Sequence, residues 1–154
     1  MDAYYLDTSA LVKRYTRERG TIWITALTAP DQAHDLYTVR LTGPEMIAAL
    51  FHKMRTGELP RTTTIHLAQD FKNDWKWQYQ VLEVNAVLSE RAMTLAEKHG
   101  LRGYDAVHLA AALLLHESRR ASERPDMIFL AADEDLLQAA NTEGLRTDNP
   151  NHYA

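Results

Sequence analysis

Apolar positions along the chain follow two periods, one typical of buried strands and one typical of amphipathic helices. Apolar runs of strand length lie at Ala3–Leu6, Asp35–Val39, 80–84 and 127–131, and a shorter one at 145–147 predicts a small edge strand. Between these runs, apolar residues recur every third or fourth place. This spacing predicts helices over 9–16, 22–27, 65–75, 87–99, 104–118 and 135–141, and one that begins at Thr42 or Gly43 and ends at Gly57.

The alternation of strands and helices indicates the fold class. Strands separated by helices need crossover connections, so they pair in parallel, with helices covering both faces of the sheet. The segment 104–118 is apolar nearly all round, as expected of a buried central helix. We therefore predict an α/β fold with a central parallel sheet, formed by a single domain over residues 1–154.

Four acidic residues occupy comparable places in this pattern. Asp7 directly follows the first strand, and Asp133 follows the fourth. Glu45 lies in the first turn of the helix after the second strand, and Asp105 lies in the first turn of the buried helix. Functional groups of parallel sheets gather at the carboxyl ends of the strands, so we expect these four side chains to share one pocket.

Each acid also has a purely structural interpretation. Thr42 and Glu45 have the spacing of a capping box, in which the glutamate accepts a hydrogen bond from a backbone N–H at the start of its helix. Asp7, Asp105 and Asp133 can each cap a helix or complement its dipole. Spacing along the chain does not distinguish separate caps from one cluster, so both interpretations stay open at this stage.

A shared pocket would have a defined chemistry. Carboxylates within a few ångströms raise each other's pKa values, and a hard divalent cation relieves that repulsion. Oxygen ligands without cysteine or a histidine set favour Mg²⁺ or Mn²⁺ over Zn²⁺. Mg²⁺ also binds phosphate oxygens, and two ions about 4 Å apart can activate a water and stabilise a leaving oxygen. The implied reaction is metal-dependent hydrolysis of nucleic acid.

Composition changes this interpretation little. The chain has 45% apolar residues and no cysteine, which fits a globular domain in a reducing cytoplasm. We expect no signal peptide, because Asp2 and Asp7 interrupt the N-terminal segment, and no apolar stretch is long enough to span a bilayer. The net charge of −4 argues against nucleic-acid binding, but the imbalance disappears when the four candidate ligands are set aside.

Four stretches resemble the PIN domain family, and in particular the VapC-type toxins of bacterial type II toxin–antitoxin pairs. They are YYLDTSALVKRY, PEMIAAL, LRGYDAVHLAAAL and FLAADEDLLQAANTEGL, of which the first and third are the more specific. The resemblance implies a three-layer α/β/α sandwich and an endoribonuclease that depends on Mg²⁺ or Mn²⁺. It also implies an RNA substrate, a small VapB-type antitoxin as partner, and a homodimer.

The resemblance also assigns site residues. The family's metal-binding and catalytic acids fall on Asp7, Glu45, Asp105 and Asp133. The hydroxyl that follows the first acid falls on Thr8 or Ser9, where it would hold a water or orient the acid.

The fourth acid is where the sequence departs from the family pattern. Many members carry Thr or Ser two residues before that acid, and here the position is Ala131, so a hydrogen bond that tunes the metal site would be absent. Asp135 is a nearby substitute acid. We favour Asp133 over Asp135, because the predicted strand ends just before Asp133.

Other polar residues near the acids have two interpretations each. Arg102 can pair with Asp105 or meet a phosphate. His108 can join Asp105 in a metal-binding pair, but a buried histidine with one hydrogen bond is the simpler interpretation. Bases just behind the first acid can guide an RNA backbone or form a solvated helix face. They are Lys13, Arg14, Arg17 and Arg19.

Two other functions stay open at this stage. A phosphohydrolase of the haloacid dehalogenase type would use Asp7 as its nucleophile, but it needs a second aspartate two residues on, where this chain has Ser9. A PIN-fold nucleic-acid-binding or regulatory module would keep the acids with little or no catalysis, and Ala131 leaves room for that alternative.

Overall fold

Five strands and seven α-helices form the chain in the computed structural model, which describes all residues from Met1 to Ala154. The strands are β1 (Ala3–Leu6), β2 (Asp35–Val39), β3 (Tyr79–Leu82), β4 (Ile128–Leu130) and β5 (Arg146–Asp148). The helices are α1 (Thr8–Tyr15), α2 (Thr21–Leu27), α3 (Thr42–Arg55), α4 (Arg61–Trp77), α5 (Ala86–His99), α6 (Gly103–Ala121) and α7 (Glu134–Thr142). Two short 3₁₀ turns cover Pro30–Gln32 and Pro150–His152.

All five strands pair in parallel, in the order β3-β2-β1-β4-β5. The chain builds outwards from β1 through β2 to β3, then returns to the other side of β1 with β4 and β5. The strand order therefore reverses between β1 and β4, which is the place where parallel sheets form binding crevices. The backbone N–H of Asp7 donates to the carbonyl of Leu130 across this junction, at 2.9 Å.

The sheet divides the apolar core into two layers, because successive side chains of a strand point to opposite faces. Ala3 and Tyr5 of β1 belong to a cluster of 22 buried residues, many of which come from α5, α6 and α7. Tyr4 and Leu6 pack on the other face, in a cluster of 13 buried residues that includes α1, α3 and α4. This arrangement confirms the predicted α/β/α sandwich around a parallel sheet.

The predicted strands and helices are all present, and their ends differ from the predictions by a few residues. The start of α4 differs most, because its first turn at Arg61 is polar and carries no apolar period. None of the helices combines the length and the hydropathy that crossing a bilayer requires.

Candidate active site

The four predicted acids lie at the carboxyl edge of the sheet, around the junction of β1 and β4. Asp7 follows β1 and caps α1, and Asp133 caps α7 just after β4. Glu45 and Asp105 lie in the first turns of α3 and α6. Four separate segments of the chain therefore contribute one carboxylate each.

His108 of α6 connects two of these acids. Its Nε2 atom lies 2.7 Å from Glu45 Oε1, and its Nδ1 atom lies 3.5 Å from Asp7 Oδ1. The histidine has no exposed surface and Asp7 is 4% exposed, so water screens this contact little. Asp7, Glu45 and His108 form what we call the inner half of the site.

Arg102 connects the other two acids. Its Nε atom lies 3.5 Å from Asp105 Oδ2, and one terminal nitrogen lies 4.0 Å from Asp133 Oδ2. The arginine side chain is 69% exposed and lies over the ring of Tyr104. Asp105, Asp133 and Arg102 form the outer half of the site, which is open to solvent.

The two halves act on each other electrostatically. Burial raises the pKa of Asp105, and the negative charges of Asp7 and Asp133 raise it further, against the opposing effect of Arg102. Burial lowers the pKa of His108, but the charges of Asp7 and Glu45 outweigh that effect and raise it. The charges of Asp7 and Asp133 therefore reach Asp105 and add to the effect of burial on its pKa, which three separate helix caps would not do.

The capping interpretation holds for two of the four acids. Asp7 accepts a hydrogen bond from the N–H of Ser9, and Asp133 accepts from Asp135 and Leu136. These two aspartates are caps as well as members of the cluster.

The alternative interpretation of Thr42 and Glu45 as a capping box is wrong. The N-cap of α3 is Leu41, with no side-chain capping bond. The Thr42 hydroxyl bonds to that of Thr38 instead, at 2.6 Å, and Glu45 turns towards His108. Asp105 also makes no capping bond, since the N-cap of α6 is Arg102. Neither Glu45 nor Asp105 therefore has a helix-capping role.

The two hydroxyl residues after Asp7 face different partners. Thr8 Oγ1 donates to Glu45 Oε1 at 2.8 Å. Ser9 Oγ donates to Asp7 Oδ2 and accepts from the backbone N–H of Ala132 at 2.9 Å. Ser9 therefore ties the β1–α1 junction to the loop that carries Asp133. Ala131 is buried beside this loop and offers no hydroxyl, so the tie depends on Ser9.

The remaining predicted groups lie away from this cluster. Asp135 is exposed, and it lines a polar pocket of about 370 Å³ with Lys98 and His99. Lys13 pairs with Glu18 at 3.0 Å, and Arg14 binds the hydroxyl of Tyr79. These two bases are held by internal partners, so they are poor candidates for guiding RNA.

Sequence reasoning underrated His108 and missed Tyr5. The Tyr5 hydroxyl lies 2.9 Å from His108 Nδ1, although the two residues are 103 positions apart. One signal was available: both residues lie on predicted buried elements, and a buried polar atom needs a partner.

The donor set suits Mg²⁺ or Mn²⁺ better than a softer metal, because it consists of carboxylates and hydroxyls. As placed, no three His, Asp or Glu side chains are close enough together to hold a metal ion. Mg²⁺ commonly needs only one or two carboxylates, since waters and substrate phosphates complete its shell. The residues therefore fit such an ion, and the mutual repulsion at Asp105 is what the ion would relieve.

Comparisons with known proteins identify relatives of the chain. Ribonuclease VapC45 and Ribonuclease VapC49, from the CDC 1551 and H37Rv strains of Mycobacterium tuberculosis, are each 33% identical to it over 146 residues. The aligned region covers 95% of this chain and 94% of each relative. No sequence model of a protein family matches the chain.

Solved structures share the fold at lower identity. PAE2754 from Pyrobaculum aerophilum has a TM-score of 0.60 and 22% identity, over 95% of this chain and 89% of that chain. VapBC-1 from nontypeable Haemophilus influenzae has a TM-score of 0.58 and 16% identity, over 96% and 98%. A toxin–antitoxin complex from Klebsiella pneumoniae has a TM-score of 0.52 and 14% identity, over 81% and 83%. The solved structures show the shared fold, and the two Mycobacterium relatives show that the chain belongs to the PIN-domain family of VapC ribonucleases.

Proposed function

We propose that this protein is a Mg²⁺- or Mn²⁺-dependent endoribonuclease that acts as the toxin of a type II toxin–antitoxin pair. The observation that carries the proposal is the gathering of four carboxylates from different segments of the chain at one sheet edge, where His108 contacts Asp7 and Glu45 and Arg102 contacts Asp105 and Asp133. The negative charges of Asp7 and Asp133, which add to the effect of burial in raising the pKa of Asp105, support a carboxylate cluster that binds a cation. The relatives named as ribonucleases supply the substrate class.

The catalytic acids of the proposal are Asp7, Glu45, Asp105 and Asp133, which would hold the metal either directly or through its bound waters. When bound, the metal ion would supply Lewis acidity for activating water and stabilising the leaving oxygen. Ser9 orients Asp7 through its hydrogen bond, and Thr8 does the same for Glu45. Arg102 is exposed at the open side of the site, where its guanidinium can bind a phosphate of the RNA once the acids have another counter-charge.

The proposal extends to partners and location. A small VapB-type antitoxin is the expected protein partner, because one structural neighbour is itself a toxin–antitoxin complex. A homodimer and a cytoplasmic location are also part of the proposal: the family resemblance implies the homodimer, and a chain without cysteine fits a reducing cytoplasm.

Cleavage of RNA by the purified chain tests the proposal. The wild type should cut RNA in Mg²⁺ or Mn²⁺ and stop in EDTA. Asp7→Asn should lower the cleavage rate about a hundredfold or more, because several kcal/mol of transition-state stabilisation are lost. Asp135→Asn is the matched control and should cleave like the wild type, since Asp135 is an exposed acid outside the cluster.

Two results would contradict the proposal. Full cleavage in EDTA would exclude the metal-dependent mechanism. Metal binding without cleavage of any RNA would favour the non-catalytic binding module, for which the alanine at position 131 leaves room.

A further inference from the structure

A buried hydrogen-bonded path runs from β1 through α6 to α3. It begins at the hydroxyl of Tyr5, passes through both ring nitrogens of His108 and ends at Oε1 of Glu45, with distances of 2.9 and 2.7 Å. Tyr5 and His108 have no exposed surface. The path therefore joins the interior of the sandwich to the candidate catalytic site.

We propose that Tyr5 and His108 are positioning residues, which hold the Glu45 carboxylate beside Asp7 and so set the affinity of the site for a divalent cation. This inference rests on the proposed function, because it assumes that the acids bind a cation. It assigns a role to two residues that lie outside the set of four acids.

The direction of the hydrogen bonds supports the positioning role. When the Tyr5 hydroxyl donates to His108 Nδ1, the neutral ring carries its proton on Nε2 and donates it to Glu45. When the ring is protonated, Nε2 still carries a proton. His108 therefore donates to Glu45 in both states, and the geometry does not depend on its titration.

Two other roles for His108 fit the contacts less well. A direct metal ligand needs a free lone pair on a ring nitrogen, but Tyr5 and Glu45 occupy both nitrogens. Simple packing does not require hydrogen bonds. His116 of the same helix illustrates the difference, since its Nδ1 atom is buried without any partner.

The consequence for metal binding follows from how metal sites are built. Groups that hydrogen-bond a ligand fix its orientation, and their loss costs about 10–100-fold in metal affinity. Glu45 has one other side-chain partner, the hydroxyl of Thr8 at 2.8 Å. Loss of the histidine should leave the glutamate held by that hydroxyl alone, with a less well defined orientation.

The test measures Mn²⁺ binding to the metal-free protein, with free Mn²⁺ counted by electron paramagnetic resonance. His108→Leu should raise the dissociation constant about 10–100-fold. Tyr5→Phe, which keeps the ring and removes only the hydroxyl, should raise it about tenfold, at the low end of that range. His108→Gln restores an N–H donor near the Nε2 position and should recover part of the loss. His116→Leu is the control and should bind like the wild type.

Thermal unfolding shows which variants are folded. If His108→Leu is unfolded, the measurement on Tyr5→Phe decides the test. Wild-type binding in the folded His108→Leu and Tyr5→Phe variants would overturn the inference and leave the proposed function intact. Equal losses in His108→Leu and His108→Gln would also overturn it, since a donor would then not matter. A wild type that binds no Mn²⁺ would overturn both.

Discussion

The inner and outer halves of the site each hold two acids against one basic side chain, but they do so in different surroundings. In the inner half, His108 is fully buried between Asp7 and Glu45 and is fixed by Tyr5 behind it. In the outer half, the Arg102 side chain is 69% exposed, and its nearest contact with Asp105 is 3.5 Å. The basic side chain is therefore held rigidly in the inner half and can move in the outer half.

The difference indicates how the site can take up a cation. Breaking a buried charged contact leaves an uncompensated charge and is expensive, so the inner half should keep its geometry. An exposed ion pair contributes little, so an incoming cation can replace Arg102 at small cost. We infer that the inner half orients the ligands and that the outer half is the side of entry.

Removing the link between the halves should have the largest effect on stability. Ser9→Ala deletes the hydroxyl that joins Asp7 to the N–H of Ala132, and it leaves that donor without its partner. We expect a loss of about 1–3 kcal/mol in the free energy of unfolding, measured in urea. Thr8→Ala is the comparison variant and should lose less, because Glu45 keeps its bond to His108. Equal losses would contradict the linking role.

The pH dependence of stability should separate the two halves in the metal-free protein. The raised pKa of Asp105 means that the folded state holds a proton more tightly than the unfolded state does. Stability is therefore lost as the pH rises from the ordinary value of 3.8 through the folded pKa of Asp105. The pKa of His108 is also raised, so its contribution is present below 6.5 and is lost as the pH rises through its folded pKa.

Urea unfolding of variants across these two pH ranges measures both effects. Asp105→Asn should flatten mainly the acid range, because Asp105 has the smallest effect among the charges that raise the pKa of His108. His108→Gln should flatten mainly the neutral range, because His108 has the smallest of the effects on the pKa of Asp105. A single variant that flattened both ranges equally would show that the halves do not titrate separately.

The smallest effect is expected at the outer arginine. Arg102→Ala should change the free energy of unfolding of the metal-free protein by about 1 kcal/mol or less, because exposed ion pairs contribute little. The variant should also need less Mg²⁺ for half-maximal stabilisation, because the cation no longer competes with the guanidinium. A higher Mg²⁺ requirement would contradict the assignment of the outer half as the side of entry.

The sequence was informative where a pattern is local and ambiguous where the partners are distant. The strand ending at Asp7 could be predicted, because apolar periodicity marks strands and parallel sheets gather polar groups at one edge. The pairing of Arg102 with Asp105 is one of the two interpretations that the sequence allows for Arg102. It forms because residues three positions apart at the start of a helix lie on the same face.

The sequence interpretations that failed, and the contact that was missed, depend on residues that are distant along the chain or lie in other elements. The capping box at Thr42 does not form, because the hydroxyl of Thr38 in the preceding strand competes for the Thr42 side chain. The contact of Tyr5 with His108 depends on the packing of α6 against β1, and no spacing rule reaches across 103 residues. Tertiary packing determines which polar side chains become hydrogen-bond partners, so these contacts can be identified only in the folded structure.

The central claim is that the four acids form one cluster that a divalent cation stabilises, and thermal unfolding with and without Mg²⁺ tests it most directly. Without metal, Asp105→Asn should unfold at the same temperature as the wild type or higher, because a repelling charge is removed. Added Mg²⁺ should then raise the unfolding temperature of the wild type more than that of the variant. A metal-free variant less stable than the wild type, with equal shifts in Mg²⁺, would contradict the account.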